Sequence, residues 1–390
     1  MNLLIVVVAY NRPESLSRCL SSLSNLKSRT DISVDICISI DHFKENEEPK
    51  KNIECVDVAN LFDWHMNDKK VIHLPENFGL RRHILACGSL VKDYDALLML
   101  EDDIVISPFA LSYVTKSIDF FEADPNIGGF SLYNHKKNFL NNEPFHPILD
   151  GSDNYFLQIA SSWGQFWTKL QWNQFHEWYQ EIDAAKLINS NLPENIKNWP
   201  ESSWLKYFIW YLNEKNKYFV YPRQSLSTNF TDLGTHNNKS NTLYQVSLLS
   251  GGIFNYRFCD LNTSISVYDS HFESMHVQKL VADRLRCKLN DVTVDFYGTK
   301  KSVAQYHLCA QLRNYRVIER FGLSYKSWEL NVIYSASGRS LYIYDTDIRQ
   351  FKLKNLVSIL RTPRVHYLEC NLTLRKRLKD MFASLKSLFS

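Results

Sequence analysis

Residues 3–9 form an unbroken apolar run, Leu3-Leu4-Ile5-Val6-Val7-Val8-Ala9, and that run constrains the fold more than any other feature of the chain. A strand with one wet face alternates apolar and polar positions. A strand with no polar position has to be covered on both faces, as in parallel sheets layered by helices. The run is too short to cross a bilayer and has neither a basic flank nor a small-residue cleavage site, so it reads as a buried strand rather than a targeting segment. Beyond it, helix and strand patterns alternate. Pro13 suits the first turn of a helix, with Leu16, Leu20, Leu23 and Leu26 at helical spacing. Further strands are predicted at 34–40, 71–74 and 96–100. A helix is predicted over 80–91, after Asn77-Phe78-Gly79, and another from Pro108 to near Asp124-Pro125. This pattern predicts an α/β fold with a mostly parallel central sheet flanked by helices, and ligands at the carboxyl ends of the strands. Asn11-Arg12, Asp41 and Glu101-Asp102-Asp103 all sit at such ends.

The 390 residues allow a first domain over 1–262 and a smaller α/β extension over 263–390, with strand-like pieces at 292–297 and 341–344 and a helical pattern around 303–320. A net charge of +3 is too small to argue for a nucleic-acid partner. Eight scattered cysteines without a C-x-x-C pair argue against a structural zinc site or a disulfide framework and fit a reducing, cytoplasmic setting. In such a setting the sequon Asn229-Phe230-Thr231 carries no weight. Seven of the nine tryptophans fall between Trp163 and Trp210. Clustered Trp is more often core than binding surface, although saccharide sites also favour flat rings with a polar edge.

Three adjacent carboxylates at the end of a buried strand are costly unless a cation neutralises them. Mg²⁺ or Mn²⁺ is the usual solution, held by one or two carboxylates together with substrate phosphates. A solvated acidic loop is the plainer alternative. For Arg12 that alternative is a surface charge at a helix start, and for Asp41 a turn-forming carboxylate.

Four blocks carry a resemblance. Val7-Val8-Ala9-Tyr10-Asn11-Arg12-Pro13, followed by Leu16 and Cys19-Leu20, resembles the opening of family 2-type glycosyltransferases of the GT-A fold. Ala96-Leu97-Leu98-Met99-Leu100-Glu101-Asp102-Asp103-Ile104-Val105-Ile106-Ser107-Pro108 is similar to their D-x-D block, and in particular to that of the N-acetylglucosaminyltransferase I family and its bacterial relatives. Ser162-Trp163-Gly164-Gln165-Phe166-Trp167 through Trp172 resembles the acceptor-side segment. Tyr221-Pro222-Arg223-Gln224-Ser225-Leu226 through Gly234-Thr235-His236 resembles the closing segment. The resemblance implies a metal-dependent, inverting transfer of a hexosyl or N-acetylhexosaminyl group from a nucleotide-sugar, in the first place a UDP-sugar. Residues 1–125 would hold the donor and 126–262 the acceptor. It implies that Arg12 and Asp41 grip the base, that Glu101 and Asp102 touch ribose and donor sugar, that Asp103 ligates Mn²⁺ or Mg²⁺, and that His236 lines the diphosphate. Trp163, Trp167 and Trp204 would face the acceptor. The family places its catalytic base in a W-D-D-W-like stretch. Here that stretch is Trp199-Pro200-Glu201-Ser202-Ser203-Trp204, so Glu201 is the first candidate for the base and Asp232 the second.

The acceptor this implies is a saccharide or lipid-linked saccharide, in bacterial capsule or lipopolysaccharide synthesis at the inner face of the membrane. Two other readings stand beside it. A sugar nucleotidyltransferase would need a glycine-rich phosphate loop where Tyr10-Asn11-Arg12-Pro13 stands. A glycan-binding scaffold would keep the fold without the base. Residues 371–390 carry an apolar stripe (Leu374, Leu378, Met381, Phe382, Leu385, Leu388, Phe389) beside Arg375, Lys376, Arg377, Lys379 and Lys386. That pattern predicts a basic amphipathic helix, lying on an anionic membrane or packed on the protein's own core.

Overall fold

The computed structural model describes residues 1–230, 232, 242, 244–252 and 255–350. The chain divides into two compact units, Met1–Asn134 with Gly151–Thr263, and residues 135–150 with the described residues from Ser264 onward. Residues 135–150, expected inside the first domain, therefore go with the second unit. His236 and the stretch 371–390 lie outside the described residues.

The first unit opens with β1 (Asn2–Ala9), α1 (Pro13–Ser24), β2 (Ser33–Ile40), α2 (Lys50–Leu61), β3 (Lys69–His73) and α3 (Gly79–Gly88). It continues with β4 (Ala96–Glu101), β5 (Ile104–Ile106), α4 (Ala110–Phe121) and β6 (Ile127–Ser131). After β7 (Lys137–Asn138) and β8 (Glu143–Pro144), which belong to the second unit, the chain returns. It then forms β9 (Asn154–Leu157), β10 (Gln165–Thr168), α5 (Lys169–Glu181), α6 (Glu194–Lys197), α7 (Leu205–Glu214), β11 (Tyr218–Pro222) and β12 (Ser227–Asn229). Within this unit the large sheet runs β9-β11-β6-β10-β4-β1-β2-β3. Strands β3, β2, β1 and β4 are mutually parallel, and β6 and β11 share their direction. Only β9 and β10 oppose it. The result is a mixed α/β fold with a large, mostly parallel central sheet flanked by helices.

The apolar run explains why β1 is central. Every residue from Leu3 to Ala9 is buried, with β2 on one side (Leu3 opposite Val34, Ala9 opposite Ile40) and β4 on the other (Leu3 opposite Ala96, Val8 opposite Glu101). Helix α1 starts at Pro13 and buries Leu16, Cys19, Leu20 and Leu23. The parallel register brings the C-terminal ends of β1, β2 and β4 to one edge, and that edge carries Arg12, Asp41 and the acidic triplet.

Most of the tryptophan cluster is core. Trp167 on β10 lies 5.1 Å from Trp172 on α5, 6.2 Å from Trp204 and 5.6 Å from Phe208 on α7, ring centre to ring centre. A β-carbon on Gly88 would fall 1.9 Å from Cζ2 of Trp172, so the end of α3 passes too close to that ring for any other residue. Trp167 and Trp204 are 0% and 2% exposed. Neither presents a face to a ligand, which corrects their expected acceptor-side role. Truncating Trp167 to alanine is expected to remove about 3–5 kcal/mol of unfolding free energy in a denaturant titration. The same change at half-buried Trp163 should cost less, and equal losses would contradict this division between core and rim.

The second unit continues with β13 (Val267–Tyr268), α8 (Met275–Leu285), β14 (Val292–Asp295), β15 (Tyr306–Cys309), β16 (Tyr315–Phe321), α9 (Trp328–Ile333) and β17 (Leu341–Arg349). Its four-stranded sheet runs β14-β15-β17-β16. The helix predicted around 303–320 is replaced by β15 and β16. The period there is that of a strand: exposure along Arg316–Arg320 alternates residue by residue, and β16 is rich in aromatic and β-branched side chains.

Candidate functional site

The site begins with a tight turn. Strand β4 ends at Glu101, Asp102 and Asp103 make the turn, and β5 leaves it. Antiparallel pairing of β5 with β12 fixes the turn from behind, and the Phe230 amide donates to the Asp103 carbonyl at 3.2 Å. Asp102 and Asp103 are both buried. Burial pushes Asp102 up to about 6, partly offset by Arg12, and the charge of Asp232 reaches it as well. Glu101 is pushed up to about 8, first by burial and then by Asp103, against the pull of Arg12 and a hydrogen bond from Ser162. Asp102 and Asp103 together present more negative charge than one neighbouring cation balances.

The neighbouring cation is Arg12. Its guanidinium spans both aspartates: Nε donates to Asp102 Oδ2 at 3.2 Å, Nη2 donates to Asp102 Oδ1, and Nη1 donates to Asp103 Oδ2 at 3.1 Å. Burial opposes its charge, but Asp102 and Asp103 outweigh that and hold it protonated. The Arg12 donors face the acidic turn. One acceptor is left over. Asp103 Oδ1 is buried and has no hydrogen-bond partner among the described residues.

That free oxygen and the surplus charge fit a hard divalent ion. No group of three His, Cys, Asp or Glu side chains is gathered into a cage among the described residues. Mg²⁺ and Mn²⁺ do not require one, because they take one or two carboxylates and complete their shell with water and phosphate oxygens.

The ends of β1, β2 and β3 form the adjoining floor. Asp41 is 4% exposed and accepts from the amides of His42 at 3.0 Å, Phe78 at 2.8 Å and Gly79 at 2.8 Å, and from Asn77 Nδ2 at 3.4 Å. The carboxylate thus anchors the start of α3, where Gly79 takes a φ of +69°. With these four donors in place Asp41 anchors the strand-end floor. Asn52, buried on α2, donates to the carbonyls of Tyr10 at 2.6 Å and Asp41 at 2.8 Å, and its Oδ1 lies 3.0 Å from His73 Nε2. The His42 ring stacks between Phe43 at 4.1 Å and His73 at 5.2 Å. Sequence reasoning passes over His42, His73, Asn52 and Asn77. The first two could have been found as aromatic residues at strand ends.

Beneath this floor His83 is buried on α3, its Nε2 2.7 Å from Ser39 Oγ. Burial lowers its pKa to about 4. Below pH 6.5 or so the unfolded chain takes up a proton at this imidazole, and the folded chain does not until about 4. Stability from His83 is therefore complete above about pH 6.5 and is lost on acidification toward about pH 4, by about 3 kcal/mol in all. Urea unfolding at several pH values should show a shallower acid loss in His83→Gln than in the unsubstituted protein. Parallel curves would contradict it.

Trp163 is half-buried and packs against Tyr133 at 4.7 Å and Tyr244 at 4.7 Å. Its carbonyl accepts from Ser227 Oγ, and its neighbour Ser162 contacts Glu101, so this tryptophan does border the acidic turn.

The two candidate bases sit in different surroundings. The Glu201 side chain is 75% exposed and accepts from Lys206 Nζ at 2.7 Å, Tyr207 Oη at 2.7 Å and Arg81 Nη1 at 3.5 Å. Lys206 is itself buried, so Glu201 serves as the counter-ion of a buried ammonium. Hydrogen bonds from Lys206 and Tyr207 hold its carboxyl below the usual range, which weakens it as a base. Asp232 is part-buried and accepts from Ser15 Oγ at 2.7 Å and from Arg18 Nη2, on helix α1 directly after Arg12. Arg18 lies 4.1 Å over the Phe230 ring. The charge of Asp232 reaches Asp102 in the acidic turn.

Among the described residues no helix is long and apolar enough to cross a membrane. No family model and no curated protein matches the sequence. Solved structures similar to the chain include S. aureus TarS 1–349 in complex with UDP-GlcNAc, at a TM-score of 0.37 and 13% identity, covering 60% of this chain and 60% of that one. The same TarS region in another crystal structure gives a TM-score of 0.33 and 14% identity over 58% of this chain and 60% of that one. The mannosyltransferase PcManGT from Pyrobaculum calidifontis, in complex with GDP-Man and Mn²⁺, gives 0.29 and 10% identity over 45% of each chain. The match spans 60% or less of each of these chains' own length.

Proposed function

We propose that this chain is a nucleotide-sugar-dependent glycosyltransferase of GT-A type that moves a hexosyl or N-acetylhexosaminyl group to a saccharide or lipid-linked saccharide. The observation that carries the reading is the buried acidic turn at the end of β4, with the free oxygen of Asp103 beside the strand ends of β1–β3. Ligands of open α/β sheets bind at that edge. Asp103 would hold Mn²⁺ or Mg²⁺ there, and the ion would supply charge stabilisation for a departing diphosphate. Glu101 and Asp102 would face the ribose and donor sugar. The base would lie against His42 and His73, and Trp163 would offer a partly open aromatic ring to the acceptor side.

For an inverting transfer a carboxylate takes the proton of the acceptor hydroxyl as that oxygen attacks the anomeric carbon. We assign this to Asp232. It flanks the acidic turn, whereas Glu201 is committed to Lys206, Tyr207 and Arg81. His236, in the same segment as Asp232, is proposed to line the diphosphate. The basic apolar stripe of residues 371–390 fits a lipid-linked acceptor. Full-length protein should then sediment with anionic liposomes, and a chain ending at 370 should not; sedimentation of both or of neither would contradict the attachment.

The first test is a panel of UDP-, GDP- and dTDP-sugars scored by thermal stabilisation with and without Mn²⁺. A ligand bound only by the folded state raises the melting temperature. At least one donor should stabilise the protein in a metal-dependent manner, and no response across the panel would overturn the reading.

A further inference from the structure

We propose that Arg12 is a built-in counter-cation that makes divalent-metal binding at the acidic turn conditional on a nucleoside diphosphate. The inference rests on the glycosyltransferase reading only for the identity of that diphosphate. Its structural basis is the guanidinium, which donates to both oxygens of Asp102 and to one oxygen of Asp103. A divalent ion arriving alone meets three obstacles in that arrangement. The aspartates are already neutralised in part, three of their four oxygens are engaged, and a fixed positive charge stands within hydrogen-bonding reach of the same carboxylates. The remaining open ligand, Asp103 Oδ1, is one buried oxygen and a weak site by itself.

A diphosphate changes this balance. Guanidinium binds phosphate oxygens in the same forked geometry that it uses for carboxylates, with comparable or greater strength. Arg12 can then transfer donors from Asp102 and Asp103 to the diphosphate, which frees carboxylate oxygens as new negative charge enters the site. The side chain is positioned for such a move. It lies at the entry to α1, makes no cap hydrogen bond to that helix, and is 23% exposed while the aspartates it holds are nearly closed off. Arg12 is thus a positioning residue that couples metal and donor. The coupling is reciprocal: donor strengthens metal binding by the factor by which metal strengthens donor binding.

The test measures Mn²⁺ affinity of the full chain from the free-Mn²⁺ paramagnetic resonance signal, without nucleotide and with saturating UDP. The unsubstituted protein is expected to bind Mn²⁺ at least tenfold more weakly without UDP. Arg12→Met should raise the UDP-free affinity tenfold or more and shrink the UDP effect, and Asp103→Asn introduced beside it should erase that gain. Arg12→Lys, which keeps a charge but loses the fork, should fall between. In an unsubstituted protein shown to bind UDP, equal Mn²⁺ affinities with and without UDP would overturn the proposal whether or not the Met variant folds. An unchanged UDP-free affinity in a folded Arg12→Met protein would do the same. A protein that binds no nucleotide at all would instead sink the glycosyltransferase reading, while the effect of Arg12→Met on Mn²⁺ alone could still be read.

Discussion

Asp103→Asn is expected to lower glycosyl transfer by about 10²-fold or more, since a metal at a reacting diphosphate supplies several kcal/mol of charge stabilisation. The reason is local. Asp103 Oδ1 is the buried acceptor of the turn that nothing on the protein engages among the described residues, while Oδ2 receives Arg12. Asparagine keeps the shape and one acceptor and removes the charge. The fold should survive, with a melting temperature close to that of the unsubstituted protein, and donor affinity should become the same with and without Mn²⁺. Full turnover of the Asn variant at saturating donor and metal would remove Asp103 from the site.

The second large effect separates the two candidate bases. Asp232→Asn should lower turnover by about 10²-fold or more with little change in donor affinity, as expected when a proton acceptor is lost. Glu201→Gln should leave turnover within a few-fold. Its cost should be in stability, because the buried ammonium of Lys206 loses its charged partner. The opposite pattern, an inactive but well-folded Glu201→Gln and an active Asp232→Asn, would restore Glu201 as the base. The comparison is informative because both carboxylates already accept from cationic side chains, Arg18 in one case and Lys206 in the other. What differs is the position of Asp232 beside the acidic turn.

Much of the frame could be read from residue type alone. A strand buried on both faces has to be continuously apolar, so β1 and β4 announced themselves, and the proline-led repeat of leucines did the same for α1. The antiparallel intruder β10 could not be read, because its four residues resemble any short aromatic segment and its neighbours are set by tertiary pairing. The stretch around 303–320 is ambiguous for a related reason: seven residues of β16 are too few for apolar spacing to separate a strand from a helix.

At the site, the acidic triplet was legible as a place where charge gathers. The partner of that charge was not. Sequence places Arg12 at a strand end about ninety positions away, and only the parallel register of β1 and β4 brings its guanidinium onto Asp102 and Asp103. The surroundings of Asp41 and Glu201 were hidden for a different reason. A carboxylate at the right position says nothing about donors already committed to it, here the amides that start α3 and the pair Lys206 and Tyr207. Tryptophans were ambiguous by nature, and burial assigned Trp167 and Trp204 to packing and left Trp163 at the rim.

Calorimetric titration of a nucleotide-sugar into the protein, with and without Mn²⁺ and in parallel with Asp103→Asn, bears on the whole chain of reasoning from buried turn to donor. Metal-dependent donor binding in the unsubstituted protein, reduced in Asp103→Asn to the metal-free level, is the expected result. Donor binding equally tight in all conditions, or absent in all of them, would contradict a metal-bridged diphosphate at the end of β4.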